Sequence, residues 1–227
     1  MKRFYTAATA ESDGRILLDG KPVNTPARRH LAALTPALAQ AIAAEWNDQG
    51  EQIDPATMKL TGLANAAIDR VAPDPAAFAA GLARYAESDL FCYRAERPAD
   101  LVERQAAEWD PLLAWARRRY DVDFAVTQAI FHIAQPPLTI ARLSAALAAL
   151  DPFRLAAMSP LVTIGGSLVA ALALFKAEID SRTAFAATHL DELWQAEQWG
   201  ADAEAIDARE NREADFAAAA RMLDLLN

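Results

Sequence analysis

Leu18-Asp19-Gly20-Lys21-Pro22-Val23-Asn24 is the stretch that decides the fold class of this 227-residue chain. Asp-Gly between two short apolar runs predicts a type I′ hairpin, because both central residues of that turn take positive φ. The surrounding residues alternate in the manner of short strands, which are predicted at 4–7, 15–18 and 21–24, with 29–34 as a candidate for a further strand. The first 35 residues therefore predict a small antiparallel sheet.

Helical signals take over after residue 35. Thr35-Pro36 is typical of an N-cap followed by proline in the first helical position, and Gly50 is typical of a helix stop. Asp-Pro pairs repeat this chemistry at 74–75, 110–111 and 151–152, and the pair at 54–55 either caps a helix or forms a turn. Pro111 predicts a break or kink in an otherwise continuous pattern. Helices are predicted at 36–49, 57–71, 75–87, 98–109, 111–120, 139–150, 152–176, 181–199 and 202–226, with extended segments at 90–95 and 121–127.

This order of elements predicts an α+β fold. A small N-terminal α+β domain with antiparallel strands is expected over residues 1–70, and a mainly α-helical bundle over 71–227. Residues 158–175 are uncharged but contain Pro160, Gly165, Gly166 and several alanines, whereas a membrane span needs about 20 predominantly apolar residues. They predict a buried core helix, and Gly165 and Gly166 inside it indicate close approach of another helix.

Composition narrows the classes of partner. The net charge is −9 and the sequence pI is about 4.8, which disfavours nucleic acid and anionic membrane surfaces. Cys92 is the single cysteine, so the sequence holds neither an internal disulfide nor a multi-cysteine zinc site. The N-terminal residues lack an apolar run of signal-peptide length, so secretion is not expected. Together with the interpretation of 158–175 as a core helix, this predicts no integral membrane segment.

Residue types that commonly carry catalysis are sparse. The three histidines, His30, His132 and His189, are far apart and lack metal-ligand spacing. The sequence has no nucleophile elbow, and Cys92 lies between Phe91 and Tyr93 as a small buried hydrophobe would. No catalytic residue, metal or cofactor is therefore predicted.

Residues 190–204 combine two tryptophans with several carboxylates and glutamines, and the run is interrupted by Gly200. Aromatic anchors ringed by polar groups are typical of protein–protein interfaces. A solvated helix face with buried tryptophans is the structural alternative. Two other functions also fit these residues. One is a small-molecule enzyme with an acid–base site at Asp191 and Glu192, and the other is an acidic adaptor protein for another partner.

Helical geometry separates these residues into two faces. Asp191 and Glu192 are adjacent and diverge by about 100°, which suits a converging acid–base pair poorly. Leu190 and Trp194 share one face, whereas Glu192 and Trp199 share another. The first pair is predicted to face the core and the second to face a partner.

Seven separated elements resemble one known family, the assembly chaperones for the F-one head of ATP synthase, in the class that binds the α subunit. The resemblance covers nearly the whole chain. Asn47, Lys59 and Gly62 depart from the family pattern, and Gly62 removes a larger, usually basic side chain at its position. The matching elements are 18–26, 43–53, 58–69, 88–95, 109–113, 166–169 and 190–204.

The resemblance implies a non-enzymatic chaperone that holds the unassembled α subunit until a β subunit replaces it. It also implies that the C-terminal helical bundle is orthogonal. The resemblance further implies a chain that is monomeric when free and that resides in the bacterial cytoplasm, or in the mitochondrial matrix for a processed eukaryotic form. The acidic C-terminal element of the family carries over to the predicted partner-binding residues: Glu192, Asp191, Trp194, Gln195, Trp199, Asp202 and Glu204.

Overall fold

The computed structural model describes residues 1–128 and 131–227 and confirms the α+β class. An antiparallel sheet of three strands, β1 (Ala8–Ala10), β2 (Ile16–Leu18) and β3 (Lys21–Pro22), precedes the helices. Short 3-10 segments lie at Pro55–Thr57, Arg84–Glu87 and Leu90–Cys92, and Ala67–Val71 is a π-helical turn. The α-helices of the described part are α1 (Pro36–Asn47), α2 (Lys59–Ala66), α3 (Pro75–Ala83), α4 (Ala99–Tyr120), α5 (Pro137–Ala148), α6 (Pro152–Gly165), α7 (Leu168–Phe175), α8 (Ser181–Thr188), α9 (Leu190–Trp199) and α10 (Ala203–Leu225).

The chain forms two compact units. One comprises Met1–Pro75, Leu150–Ala157 and Ala218–Asn227, and the other comprises Ala76–Ala149 and Met158–Ala217. The division into domains at 1–70 and 71–227 stays a prediction. Within the described ranges, no helix has both the length and the apolar character needed to cross a membrane.

The predicted hairpin is confirmed by its backbone. Asp19 has φ 47° and Gly20 has φ 77°, the two positive values of a type I′ turn, and Leu18 pairs with Lys21 across it. The strand predicted at 4–7 is wrong, because the N–H groups of Thr6 and Ala7 donate to the Asp19 carboxylate instead of a neighbouring strand. The candidate strand at 29–34 is also wrong, since that segment contributes only isolated bridges.

The outer edge of β1 is covered by a side chain. The Asn47 amide donates to the carbonyl of Ala8 at 2.8 Å, and its oxygen accepts from the Ala8 N–H at 2.7 Å. These two bonds reproduce those of a neighbouring strand and protect the edge from pairing with another chain. Behind the sheet lies a core built from Tyr5, Ala8, Leu18, Ala43, Ile53 and Met58.

Helix α4 runs without interruption through Pro111, so the predicted break there is wrong. Proline in a helix interior removes one backbone hydrogen bond and costs about 3 kcal/mol. Trp109, Leu112, Leu113 and Trp115 are buried on both sides of the proline. Burial of large apolar side chains, worth about 1.5–3 kcal/mol each, offsets the lost bond and keeps the helix continuous.

The predicted helix at 152–176 is two helices, both largely buried. Gly166 has φ 64°, which ends α6, and Ser167 caps α7 by accepting from the Ala170 N–H at 3.0 Å. Gly166 therefore serves a turn instead of helix packing. The packing interpretation is confirmed for Gly165, where a Cβ would lie 3.1 Å from the methyl group of Thr188 in α8.

Two further predicted segments differ from the structure. The helix predicted at 181–199 is divided at His189, because the Thr188 hydroxyl and the His189 ring both bond to the Phe185 carbonyl and hold the turn there. The segment predicted to be extended at 90–95 begins as a 3-10 turn, since the Asp89 carboxylate accepts from the Phe91 N–H. Tyr93 then forms a single parallel bridge with Thr127.

Candidate functional site

Helix α9 holds most of the predicted partner-binding residues, and its neighbours fix both of its ends. His189 precedes it, with the ring Nδ1 atom 3.0 Å from the carbonyl of Phe185 and the two rings stacked at 3.8 Å. Burial lowers the pKa of His189, so the imidazole is neutral near pH 7. Gly200, with φ 81°, ends the helix and donates its N–H to Ala196. The sequence prediction of a stop at Gly200 is confirmed.

The two tryptophans of α9 occupy different environments. Leu190 and Trp194 are buried, as predicted, and the indole Nε1 of Trp194 donates to the Asp100 carboxylate at 3.1 Å. Trp199 is 75% exposed. Its ring meets that of Trp194 edge to face, with centroids 5.5 Å apart. Trp194 therefore lies behind Trp199 as a support, and only Trp199 presents an indole to solvent.

Glu192 is bound to helix α10. Its carboxylate lies 2.6 Å from the guanidinium of Arg212 and 3.7 Å from that of Arg209, and its side chain is 38% exposed. Two guanidinium groups thus neutralise a residue that the sequence predicted as the foremost partner contact. This geometry indicates that Glu192 positions α9 against α10.

Glu197 is neutralised in the same way by α4. Its carboxylate accepts two hydrogen bonds from Arg104, at 2.6 and 3.1 Å. Hydrogen bonding from Arg104 lowers the pKa of Glu197. The pair is solvent-exposed, so its contribution to stability is small, and it leaves little free charge for a partner.

Asp191 differs from both glutamates because its partner is uncharged. Its carboxylate accepts from the amide nitrogen of Gln105 at 2.7 Å, and the oxygen of that amide accepts from the Ala95 N–H at 2.8 Å. Gln105 is almost completely buried. The Asp191 carboxylate is therefore held in place while its negative charge is retained.

The remaining predicted residues lie around the end of α9. Gln195 is exposed on the helix, and Asp202 accepts from the Ala205 N–H at 2.7 Å as the cap of α10. Glu204 is exposed in the first turn of α10. Both carboxylates lie where the helix dipole favours negative charge.

Known proteins match this chain along its whole length. The family model described as ATP12 chaperone protein matches residues 2–117. The crystal structure of Atp12 from Paracoccus denitrificans superimposes with a TM-score of 0.93 at 41% identity, covering 100% of this chain and 98% of that one. A point mutant of the same organism's Atp12p gives the same values. A protein from Agrobacterium tumefaciens gives a TM-score of 0.94 at 40% identity and covers 100% of this chain and 86% of its own.

The chain belongs to the ATP12 chaperone family. The resemblance stated from the sequence is thereby confirmed, together with the α+β fold. Family membership supports a chaperone role and the prediction that the chain is not an enzyme.

In this ATP12-family chain the two carboxylates of the acid–base hypothesis have separate surroundings. Asp191 lines a groove beside Tyr93 and Phe131. Glu192 is bonded to Arg212 and is not among the described residues that line that groove. The hypothesis requires both groups to converge on one substrate, and the structure does not bring them together.

Sequence reasoning missed the side chains that bind the acidic residues of this ATP12-family helix. Arg209 and Arg212 are three residues apart on the helix predicted at 202–226, so their common face was readable from the sequence. Nothing in the sequence indicates that this face meets Glu192, because the two helices must first pack. Gln105 and Arg104 on α4 carry no local signal at all.

Proposed function

We propose that this chain binds the unassembled α subunit of the F-one head of ATP synthase, prevents its aggregation and releases it when the β subunit takes its place. Membership of the ATP12 chaperone family supports a chaperone role, and the choice of client rests on the resemblance of the seven sequence elements. The bacterial origin of the structural relatives supports the bacterial cytoplasm as its compartment.

The observation that carries a binding role for α9 is the exposed indole of Trp199. A tryptophan that is 75% exposed and packed edge to face on a buried second tryptophan leaves a large apolar surface in water. Trp is enriched among the residues that dominate binding energy at protein interfaces. Exposed Gln195 and Glu204 supply polar groups in the same part of the chain, so that release remains feasible.

Coexpression tests this function. The α subunit expressed with the wild-type chain should become more soluble and copurify with it, and added β subunit should displace it. Trp199→Ala should weaken capture about tenfold or more, since truncation of a central aromatic anchor typically costs 2 kcal/mol or more. Phe4→Ala is the matched control, because Phe4 is a similarly exposed aromatic residue of the other compact unit. Equal insolubility of α with and without the chain would refute the proposal.

A further inference from the structure

A groove of about 550 Å³ lies beside the start of α9, inside the compact unit that contains α9. We name it the Phe131 groove, and the lining residues that matter here are Tyr93, Glu96, Phe131 and Asp191. Its volume falls within the range of about 300–1,000 Å³ that is typical of ligand-binding pockets. Gln105 fixes its Asp191 wall through the hydrogen bond described above.

The groove is marked by an exposed aromatic ring. Phe131 is 77% exposed, more than any other large hydrophobic residue among those described. Val126, in the connection between α4 and α5, and Leu138, in the first turn of α5, are also exposed. Single exposed apolar residues are ordinary, but an exposed aromatic residue that lines a groove is typical of an interaction site.

The charge of the groove is negative. Glu96 is exposed and Asp191 bonds only to neutral Gln105, and no described cation pairs with either carboxylate. Arg94 also lines the groove, but its guanidinium is bonded to Asp110 at 2.8 Å and lies over the ring of Trp109. The Arg94 guanidinium is thus already bonded within the chain, whereas the carboxylates of Glu96 and Asp191 are available to a ligand.

We infer that the Phe131 groove docks a segment of the client in which a lysine or arginine lies beside an apolar or aromatic side chain. The inference rests on the proposed function, since the segment would belong to the α subunit. Phe131 and Tyr93 supply apolar contact surface, and Glu96 and Asp191 supply complementary charge that steers and orients the basic side chain. The groove thereby extends the client surface of α9 from Trp199 at its end to Asp191 at its start.

Capture of newly synthesised α subunit by the tagged, immobilised chain tests the groove. The double variant Phe131→Ser/Glu96→Lys removes the ring and reverses one charge at exposed positions, so thermal unfolding should be unchanged. The double variant should retain at least tenfold less α than the wild type. The matched control is Phe4→Ser/Glu87→Lys, which makes the same two changes at exposed positions outside the groove.

Each outcome is decisive. Loss of capture in the groove variant alone supports the groove. Equal capture by the groove variant and the wild type overturns it and leaves the proposed function standing, whereas failure of the wild type to retain α overturns both. A photocrosslinking phenylalanine analogue at position 131 provides a second readout. It should label an α-subunit peptide that contains a basic residue beside an apolar one, and labelling of an acidic peptide would overturn the inferred chemistry.

Discussion

Ser167 donates its hydroxyl to the Asp89 carboxylate at 2.8 Å, and the same carboxylate accepts from the Val169 N–H at 2.9 Å. Asp89 is fully buried, and together with Ser167 it satisfies free N–H groups at the start of α7. Two sequence elements 78 residues apart are thus joined at one helix end.

This relationship predicts an unusual dependence of stability on pH. Burial raises the pKa of Asp89 to about 6, although the hydrogen bonds from Val169 and Ser167 act in the opposite direction. The native state therefore holds the proton more tightly than the unfolded chain, whose carboxyl titrates near 4. The contribution of Asp89 is fully present below about pH 4 and is lost as the pH rises to about 6.

Asp89→Asn isolates this contribution, because the amide does not titrate. The free energy of unfolding of the wild type, relative to that of the variant, should fall by on the order of 2–3 kcal/mol from pH 4 to pH 6.5. Urea unfolding at a series of pH values measures the difference. A constant difference across that range would contradict the raised pKa.

Substitution of Glu192 should weaken the attachment of α9 to α10, whether or not a client is present. Glu192→Lys places a third cation beside Arg209 and Arg212 and should lower the free energy of unfolding by about 1–2 kcal/mol, whereas Glu192→Gln should cost less than about 1 kcal/mol because the pair is partly exposed. Glu204→Lys is the control for the same charge change at an exposed residue. The swap Glu192→Arg/Arg212→Glu should restore stability, and its failure to do so would argue against the ion pair as the cause.

Alanine substitution at three glycines should change the stability of the protein to different extents. Gly62 lies in α2 with open space around it, so Gly62→Ala should stabilise the protein by about 0.5–1 kcal/mol. Gly166→Ala should destabilise it by about 1–2 kcal/mol, because the φ of 64° is unfavourable for a residue with Cβ. Gly165→Ala should also be destabilising, by overpacking against Thr188. Chemical denaturation orders the three variants, and a stabilising Gly166→Ala would contradict the assigned backbone.

Cys92 should be inert in the native state. Its side chain is buried, and burial raises the pKa of the thiol to about 12. Because the thiolate is the reactive form, a colorimetric thiol reagent at pH 8 should label the native chain far more slowly than the chain in urea. Equal labelling rates would show that the segment around Cys92 opens readily.

Features controlled by a few neighbouring residues were predictable from the sequence. The Asp19-Gly20 hairpin and the Gly200 helix stop depend on which residues tolerate positive φ, and the start of α6 depends on a carboxylate that reaches its own next turn, as Asp151 does. The two faces of α9 followed from the helical period alone. The family resemblance followed from the order of seven such local elements.

The tertiary structure decided which distant groups meet. Continuity of α4 through Pro111 depends on apolar burial on both sides, and the start of α2 depends on Glu45 of α1, whose carboxylate accepts from the N–H groups of Leu60 and Thr61. Neutralisation of Glu192 by Arg212 and the retained charge of Asp191 likewise depend on packed neighbours. The sequence by itself determined the Asp19-Gly20 hairpin, the Gly200 helix stop and the exposed face of α9 that carries Trp199, because turn geometry and periodicity act over a few residues. Only the tertiary structure decided which carboxylates are bonded within the chain and which are available to a partner. The reason is that hydrogen bonds and ion pairs form between groups that folding brings within about 3 Å.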